Sequence, residues 1–235
     1  TGPIVGYDPI WQVSALPFLT RGVDDAWRLY QASKPTYEAI LARDGQLLLY
    51  TIPWPPSGIW ARKPIQKPSD LQGLRIRSFD PISHRTFAAA GARPTTLTFA
   101  DVVPQLTTGG IEAVLTSSEG GFFNKFTDLL SHFTIINYAL PLSIVHMNKR
   151  RWDSLPQAHR QAVAEAAAET EAMIWQRIRT READVMERMR AAGTIIIEAS
   201  PELMESLQRA AEGAIAEWLT RAGARGQAIL AAYRR

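Results

Sequence analysis

The chain has 235 residues, 46% of them hydrophobic and 21% charged, with a formal net charge of +3. No apolar run reaches the roughly eighteen residues that a bilayer crossing needs, and the absence of cysteine excludes disulfides, thiolate metal sites and thiol nucleophiles together. The arginines are spread along the chain rather than gathered into a basic run, which argues against nucleic acid as a partner. What remains is a globular protein of one large or two small domains that does not span a membrane. The residues after Thr1 carry neither the basic nor the apolar segment of a secretory leader, so the sequence begins as a fragment or a processed form would.

In chain order, Tyr7 to Leu19 is apolar and punctuated by Pro9 and Pro17, which predicts a loop with a short helical turn. From Asp24 to Ala42 apolar residues recur at helical spacing, and Pro35 predicts a break into two helices. Gln46 to Ile52 reads as a strand buried on both faces. Pro53-Trp54-Pro55-Pro56-Ser57-Gly58 reads as a hinge, since its prolines remove donors and fix the backbone.

After the hinge, strand and helix signals alternate at short intervals, the pattern of an α/β fold. Strands are expected at Leu74–Ser78, Pro94–Leu97 and Ala113–Thr116, with helices at His84–Ala90 and Phe99–Thr108. Extended segments follow at Phe133–Tyr138 and Ser143–Asn148. From Pro156 to Ala192 a helical pattern runs with no internal glycine or proline. At about 1.5 Å per residue it exceeds the width of a small domain, so it is expected to span two lobes. Gly193 ends it. Thr194–Glu198 is the next strand, and Ser200-Pro201 opens a helix with a capping serine and a first-turn proline. Gly223 and Gly226 are expected to divide that helix from a last short one.

Two of these strands end in polar groups: the first at Arg77, the other at Thr116-Ser117-Ser118. In an open α/β sheet, ligands bind beyond the strand ends. An arginine there points to an anion, and a carboxylate fits best because the planar guanidinium fork matches two carboxylate oxygens. Arg75 is read as turned to the other face of the strand and solvated.

The set Leu16-Pro17-Phe18-Leu19, Lys63-Pro64-Ile65, Asp70-Leu71-Gln72-Gly73-Leu74-Arg75-Ile76-Arg77, Thr98-Phe99-Ala100-Asp101, Leu106-Thr107-Thr108-Gly109 and Asn148-Lys149 resembles the DctP-type substrate-binding proteins of tripartite ATP-independent periplasmic (TRAP) transporters. The resemblance covers essentially the whole chain. It implies a two-lobed, periplasmic-binding-protein-like α/β fold with a long interlobe helix, a periplasmic location, and capture of a small organic acid for a membrane permease, without catalysis or a cofactor. The expected division is 1–54 with 142–181 as one lobe, its amino-terminal part missing, and 55–141 with 182–235 as the other.

Carried across position by position, the resemblance implies that Arg77 clamps the ligand carboxylate. Phe99 falls where an aromatic side chain lies against the ligand body, although a core phenylalanine opening a helix would look the same. Thr116 stands where sugar-acid members often have asparagine, and the family's Asp-Gly-Gln-Glu-Asn pattern is replaced by Glu112 to Ser118. A further family arginine near the hinge is replaced by Ser57, between Trp54 and Trp60; Arg62 or Lys63 are alternative sources of that charge. Short hydroxyls and indoles in place of charged groups point to a monocarboxylate with an apolar or aromatic body. Tyr7 and Trp11 are candidates for one wall, Ser117 and Ser118 before the turn-like Gly120-Gly121 for the other, and Asn137 for a contact or hinge residue between lobes.

An enzyme reading rests on the four histidines and many carboxylates, but none falls in a metal-ligand spacing and no nucleophile elbow is present. A ligand-sensing regulatory domain on the same bilobal scheme is the other alternative.

Overall fold

The computed structural model describes residues 7–234, and these form two sheets with helices packed around them. The smaller sheet pairs β1 (Gln46–Pro53) with β7 (Leu142–Asn148) in antiparallel register, with an irregularity between Leu48 and Tyr50. The larger has six strands in the order β4-β3-β5-β2-β6-β8. These are β2 (Ser57–Ala61), β3 (Arg75–Ser78), β4 (Arg93–Thr96), β5 (Ala113–Ser117), β6 (His132–Ile135) and β8 (Ile195–Glu198). Strand β3 lies parallel to β4 and β5, while β2 runs antiparallel to both β5 and β6.

Around the small sheet pack a 3-10 turn (Pro9–Ala15) and α1 (Val23–Arg43). Asp24 and Asp25 in the first turn of α1 and Arg43 in its last suit the helix dipole. Its apolar stripe of Ala26, Leu29, Tyr30, Tyr37, Ile40 and Leu41 is buried. Trp11 stacks on Tyr37 with centroids 5.0 Å apart, and Tyr30 on Trp175 at 5.9 Å. The buried Glu171 carboxylate binds this layer together: Oε1 accepts from Tyr30 Oη at 2.8 Å, Thr51 N at 2.8 Å and Thr51 Oγ1 at 3.1 Å.

The large sheet is covered on both faces, as the alternation of side chains along a strand requires. Ile59, Ile76 and Leu115 face one core with Leu203 and Leu207, whereas Trp60 and Val114 face another with Val102, Leu106, Phe126 and Phe133. Helices α2 (Pro81–Ala89), α3 (Phe99–Thr108) and α4 (Ser118–Phe123) follow strands β3, β4 and β5. After the short α5 (Lys149–Asp153), α6 (Gln157–Ala191) runs 35 residues, about 50 Å. It puts Trp175 into the core of the small sheet and Val185 and Met189 into that of the large one. The last helix, α7 (Pro201–Tyr233), is also shared: Leu203 and Leu207 serve the large sheet, Trp218, Ile229 and Leu230 the small one.

Several expectations need correction. Pro35 does not divide α1, because Leu29 and Tyr30 before it and Tyr37 and Ile40 after it bury in one core. That packing outweighs the roughly 3 kcal/mol an internal proline costs. Strand β1 is half-buried rather than enclosed on both faces, since its sheet has two strands. Ser57 and Gly58 are not irregular hinge residues but open β2, a central strand. Gly58 fits there because a Cβ would run into the Phe133 ring on the neighbouring strand and into the Thr134 carbonyl oxygen. Gly120 and Gly121 form part of α4 rather than a turn. At Gly223 the expected break is present, with φ 58° and ψ −146° inside α7.

Burial pushes the Glu182 carboxyl of α6 up to about 7 from an ordinary 4.5. Folding therefore favours its protonated form, and the stability this contributes is present below pH 4.5 and lost as pH rises through 7. Urea unfolding of Glu182→Gln should find the variant more stable than its parent by about 2 kcal/mol at about pH 8, with no difference at about pH 4. Equal stability at both pH values would show that this carboxylate is solvated in the folded protein.

Candidate functional site

Strands β3, β4 and β5 run parallel and end along one edge of the large sheet, and a cavity of about 670 Å³ opens there. From this side come Arg77, Phe79 and Asp80 after β3, Thr96 to Phe99 after β4, and Thr116, Ser117 and Gly120 after β5. The facing wall is built by Trp54, Pro141 and Leu142, from the small sheet and the segments entering it, with Ala15 from the 3-10 turn packed on that sheet. Those segments run side by side: Trp54 N donates to Pro141 O at 2.9 Å, Ser57 N to Ala139 O at 3.0 Å and Tyr138 N to Ser57 O at 2.9 Å. The cavity thus lies between two layers joined by a hydrogen-bonded pair of connections, where ligands of open α/β sheets bind.

Arg77 is 5% exposed. Its Nε donates to Leu97 O at 3.1 Å and Nη1 to Leu115 O at 3.0 Å, so the carbonyls of two flanking segments fix the plane of the guanidinium. Among the described residues Nη2 has no hydrogen-bond partner, and Arg77 has no carboxylate within ion-pair distance. The group sits against two rings, 5.7 Å from the Phe99 centroid and 5.9 Å from that of Phe79. Desolvation pulls its pKa down to about 10, with the charge of Asp80 opposing. A buried cation without a counter-ion is costly, and an anion in the cavity would offset that cost.

Asp80 is 2% exposed and caps α2 through Oδ1, which accepts from Ser83 N at 2.7 Å. Burial pushes its carboxyl above the usual carboxylate range, partly offset by the bonds from Ser83 and by Arg77. The Thr116 and Ser57 hydroxyls, both in buried residues, have no hydrogen-bond partner among the described residues. Phe99 stacks on Phe126 at 6.0 Å and Trp54 is held by Nε1 donating to Ser143 Oγ at 2.9 Å, so both aromatic walls are braced from behind.

Of the residues singled out in the sequence, Arg77, Phe99, Thr116, Ser117, Trp54 and Ser57 line this cavity. The other four lie elsewhere. Tyr7 is 63% exposed, its hydroxyl bonded to Asp44. Trp11 is consumed by packing on Tyr37. Ser118, the first residue of α4, is fully buried and absent from the lining. Asn137, in the left-handed region at φ 46°, borders a separate cavity of about 430 Å³ with Phe18, Arg21 and Glu198. Arg62 is spent on the Leu106 carbonyl, and neither it nor Lys63 reaches the lining. Arg75 is exposed and paired with Glu112 at 2.8 Å, but the reason differs from the one expected. Residues two apart on a strand share a face, and Arg75 is solvated because it opens β3 while Arg77 lies near the end that meets the cavity.

Phe79, Asp80, Leu97 and Asn124 also line the cavity and were not foreseen. Asp80-Pro81 carries a readable signal, an N-cap and first-turn proline three residues after Arg77. The described histidines do not converge, and no group of metal-ligating side chains occurs among the described residues.

The chain belongs to the family described as bacterial extracellular solute-binding protein, family 7 (DctP), which it matches over residues 1–221. Among solved structures it is similar to DctP7, a Bordetella pertussis extracytoplasmic solute receptor binding pyroglutamic acid: TM-score 0.95 and 32% identity, covering 100% of this chain and 78% of that one. DctP6 of the same organism, also a receptor binding pyroglutamic acid, gives 0.93 and 34%, covering 98% and 77%. A curated solute-binding protein of Verminephrobacter eiseniae is 24% identical over 203 residues, 84% of this chain and 60% of that protein. The chain therefore spans about 60% of the length of the first curated relatives it matches.

The β5 end of the cavity depends on one close approach. Trp60 is fully buried, its Nε1 donates to Ser117 O at 3.1 Å, and a Cβ at Gly121 would collide with its indole ring. Gly121→Ala must displace α4 from that ring, and denaturant titration should show a loss of about 1–3 kcal/mol. A neutral substitution would mean that α4 is not seated on Trp60.

Proposed function

We propose that the chain is the ligand-capturing part of a TRAP solute receptor, which holds a small monocarboxylate in the cavity at Arg77 and presents it to a membrane permease from the periplasm. The single observation that carries this reading is the buried Arg77 guanidinium, fixed by two carbonyls and lacking a counter-ion. Its free edge, Nη2 with the second Nη1 proton, is a fork suited to two carboxylate oxygens. Arg77 is the one cation among the described lining residues, and Asp80 beside it repels a second carboxylate. Phe79, Leu97, Phe99, Trp54 and Leu142 favour a compact apolar or ring-shaped body. Two relatives above 30% identity are receptors binding pyroglutamic acid, a cyclic monocarboxylate, which supports this ligand class.

In this reading the two walls act as the lobes of a clamshell, 1–54 with 142–181 against 55–141 with 182–235, with the end of α7 packed back on the first. The carboxylate docks on Arg77. The wall of Trp54, Pro141 and Leu142 then covers the ligand body, so the closed state is selected by contacts available only when both walls meet. The paired connections at Trp54–Pro56 and Ala139–Pro141 flex together, and α6 and α7 limit the motion.

Thermal unfolding in the presence of acids tests the ligand class. Ligand at about a hundred times its Kd stabilises by about 2.7 kcal/mol, a shift of several degrees for a chain of this size. Pyroglutamate should give such a shift, and succinate and galacturonate little or none. A larger shift with the dicarboxylate, or none with any monocarboxylate, would overturn the proposal.

A further inference from the structure

We infer that Asp80 is a specificity-determining residue whose free carboxylate oxygen accepts an N–H from the ligand, so that the preferred guest carries an N–H donor next to its carboxylate. The inference rests on the reading of the cavity as a monocarboxylate site and narrows it.

The two oxygens of Asp80 are used unequally. Oδ1 does all the capping work, accepting from Ser83 N at 2.7 Å and from Ser83 Oγ at 2.6 Å. Oδ2 is buried and has no hydrogen-bond partner among the described residues. A cap needs one oxygen. The second is surplus to the fold, yet the residue is 2% exposed and lines the cavity. Buried polar atoms are nearly always paired, and an orphan is costly enough to require an explanation.

The Ile82 backbone N–H at the start of α2 lies near enough to favour the carboxylate, but no donor among the described residues meets hydrogen-bond geometry at Oδ2. Arg77 senses the charge of Asp80, but its own bonds run to Leu97 and Leu115 and the two form no ion pair. The nearby Tyr138 hydroxyl donates to Thr86 Oγ1 at 3.3 Å. An unpaired carboxyl oxygen beside a cationic donor in one cavity defines a guest with a carboxylate at one point and a donor close by. A lactam acid has that pattern: its ring nitrogen is bonded to the carbon that bears the carboxylate. Its ring-oxygen counterpart, the lactone acid, matches it in shape and charge but sets two acceptors against each other at Oδ2. Acceptor against acceptor is the mismatch that buried polar sites reject most strongly.

The test is calorimetry of the whole chain with pyroglutamate and with its lactone analogue, 5-oxotetrahydrofuran-2-carboxylate. The parent should prefer the lactam at least tenfold. Asp80→Asn keeps an efficient N-cap for α2 and so keeps the fold, which its unfolding curve verifies; its preference should fall below twofold, with lactone affinity held or improved. Equal affinity of the parent for the two acids, or an unchanged preference in Asp80→Asn, overturns the role of Asp80 and leaves the monocarboxylate reading standing. Failure of the parent to bind either acid while binding another monocarboxylate also overturns it. If no monocarboxylate binds at all, the function proposed above falls, and this inference with it.

Discussion

A charge buried without a partner organises this molecule. Arg77 lies near the end of a strand, 5% exposed, against the faces of two phenylalanines, and its guanidinium is steered by the Leu97 and Leu115 carbonyls. A fold that keeps such a group either neutralises it internally or leaves it for a guest. Here the internal option is declined: Asp80 is close enough to be felt, but the guanidinium bonds run to the two carbonyls and the two side chains form no ion pair.

The rest of the architecture holds that charge in place. Parallel β3, β4 and β5 bring three loop beginnings to one edge, so a cation, a pair of rings and buried hydroxyls meet although they are distant in sequence. Trp60 against Gly121 of α4 and Phe126 behind Phe99 keep the wall from relaxing. The opposite wall is carried on a different sheet, tied in by the short connections at Trp54–Ser57 and Tyr138–Pro141 and by α6 and α7, which reach both cores.

Much of this was legible in the sequence because it rests on local rules. The helical period of 157–191, the N-cap at Ser200 and the strand ending at Arg77 follow from spacing and capping chemistry. What escaped depends on partners far along the chain. Ser57 and Gly58 look like a hinge because they follow Pro53, Pro55 and Pro56, yet they open a strand that pairs with β5 and, further along, with β6, where the Phe133 ring covers Gly58. Pro35 looks like a break and is overruled by the core on either side. Trp11 and Tyr7 share the composition of a ligand wall, but a stack on Tyr37 and a bond to Asp44 use them elsewhere, which residue type does not reveal. Asp80 was readable as a helix cap, and only the cavity shows that its second oxygen is left over.

The measurement that bears most directly on the account is the affinity of Arg77→Lys for pyroglutamate by titration calorimetry, alongside its unfolding curve. A lysine keeps the charge but has neither the fork nor the reach to hold both carbonyls and a carboxylate. The variant's affinity should fall about a hundredfold or more in a protein that still folds. Affinity within threefold of the parent would contradict the clamp, because the guest would then be held by something other than this guanidinium.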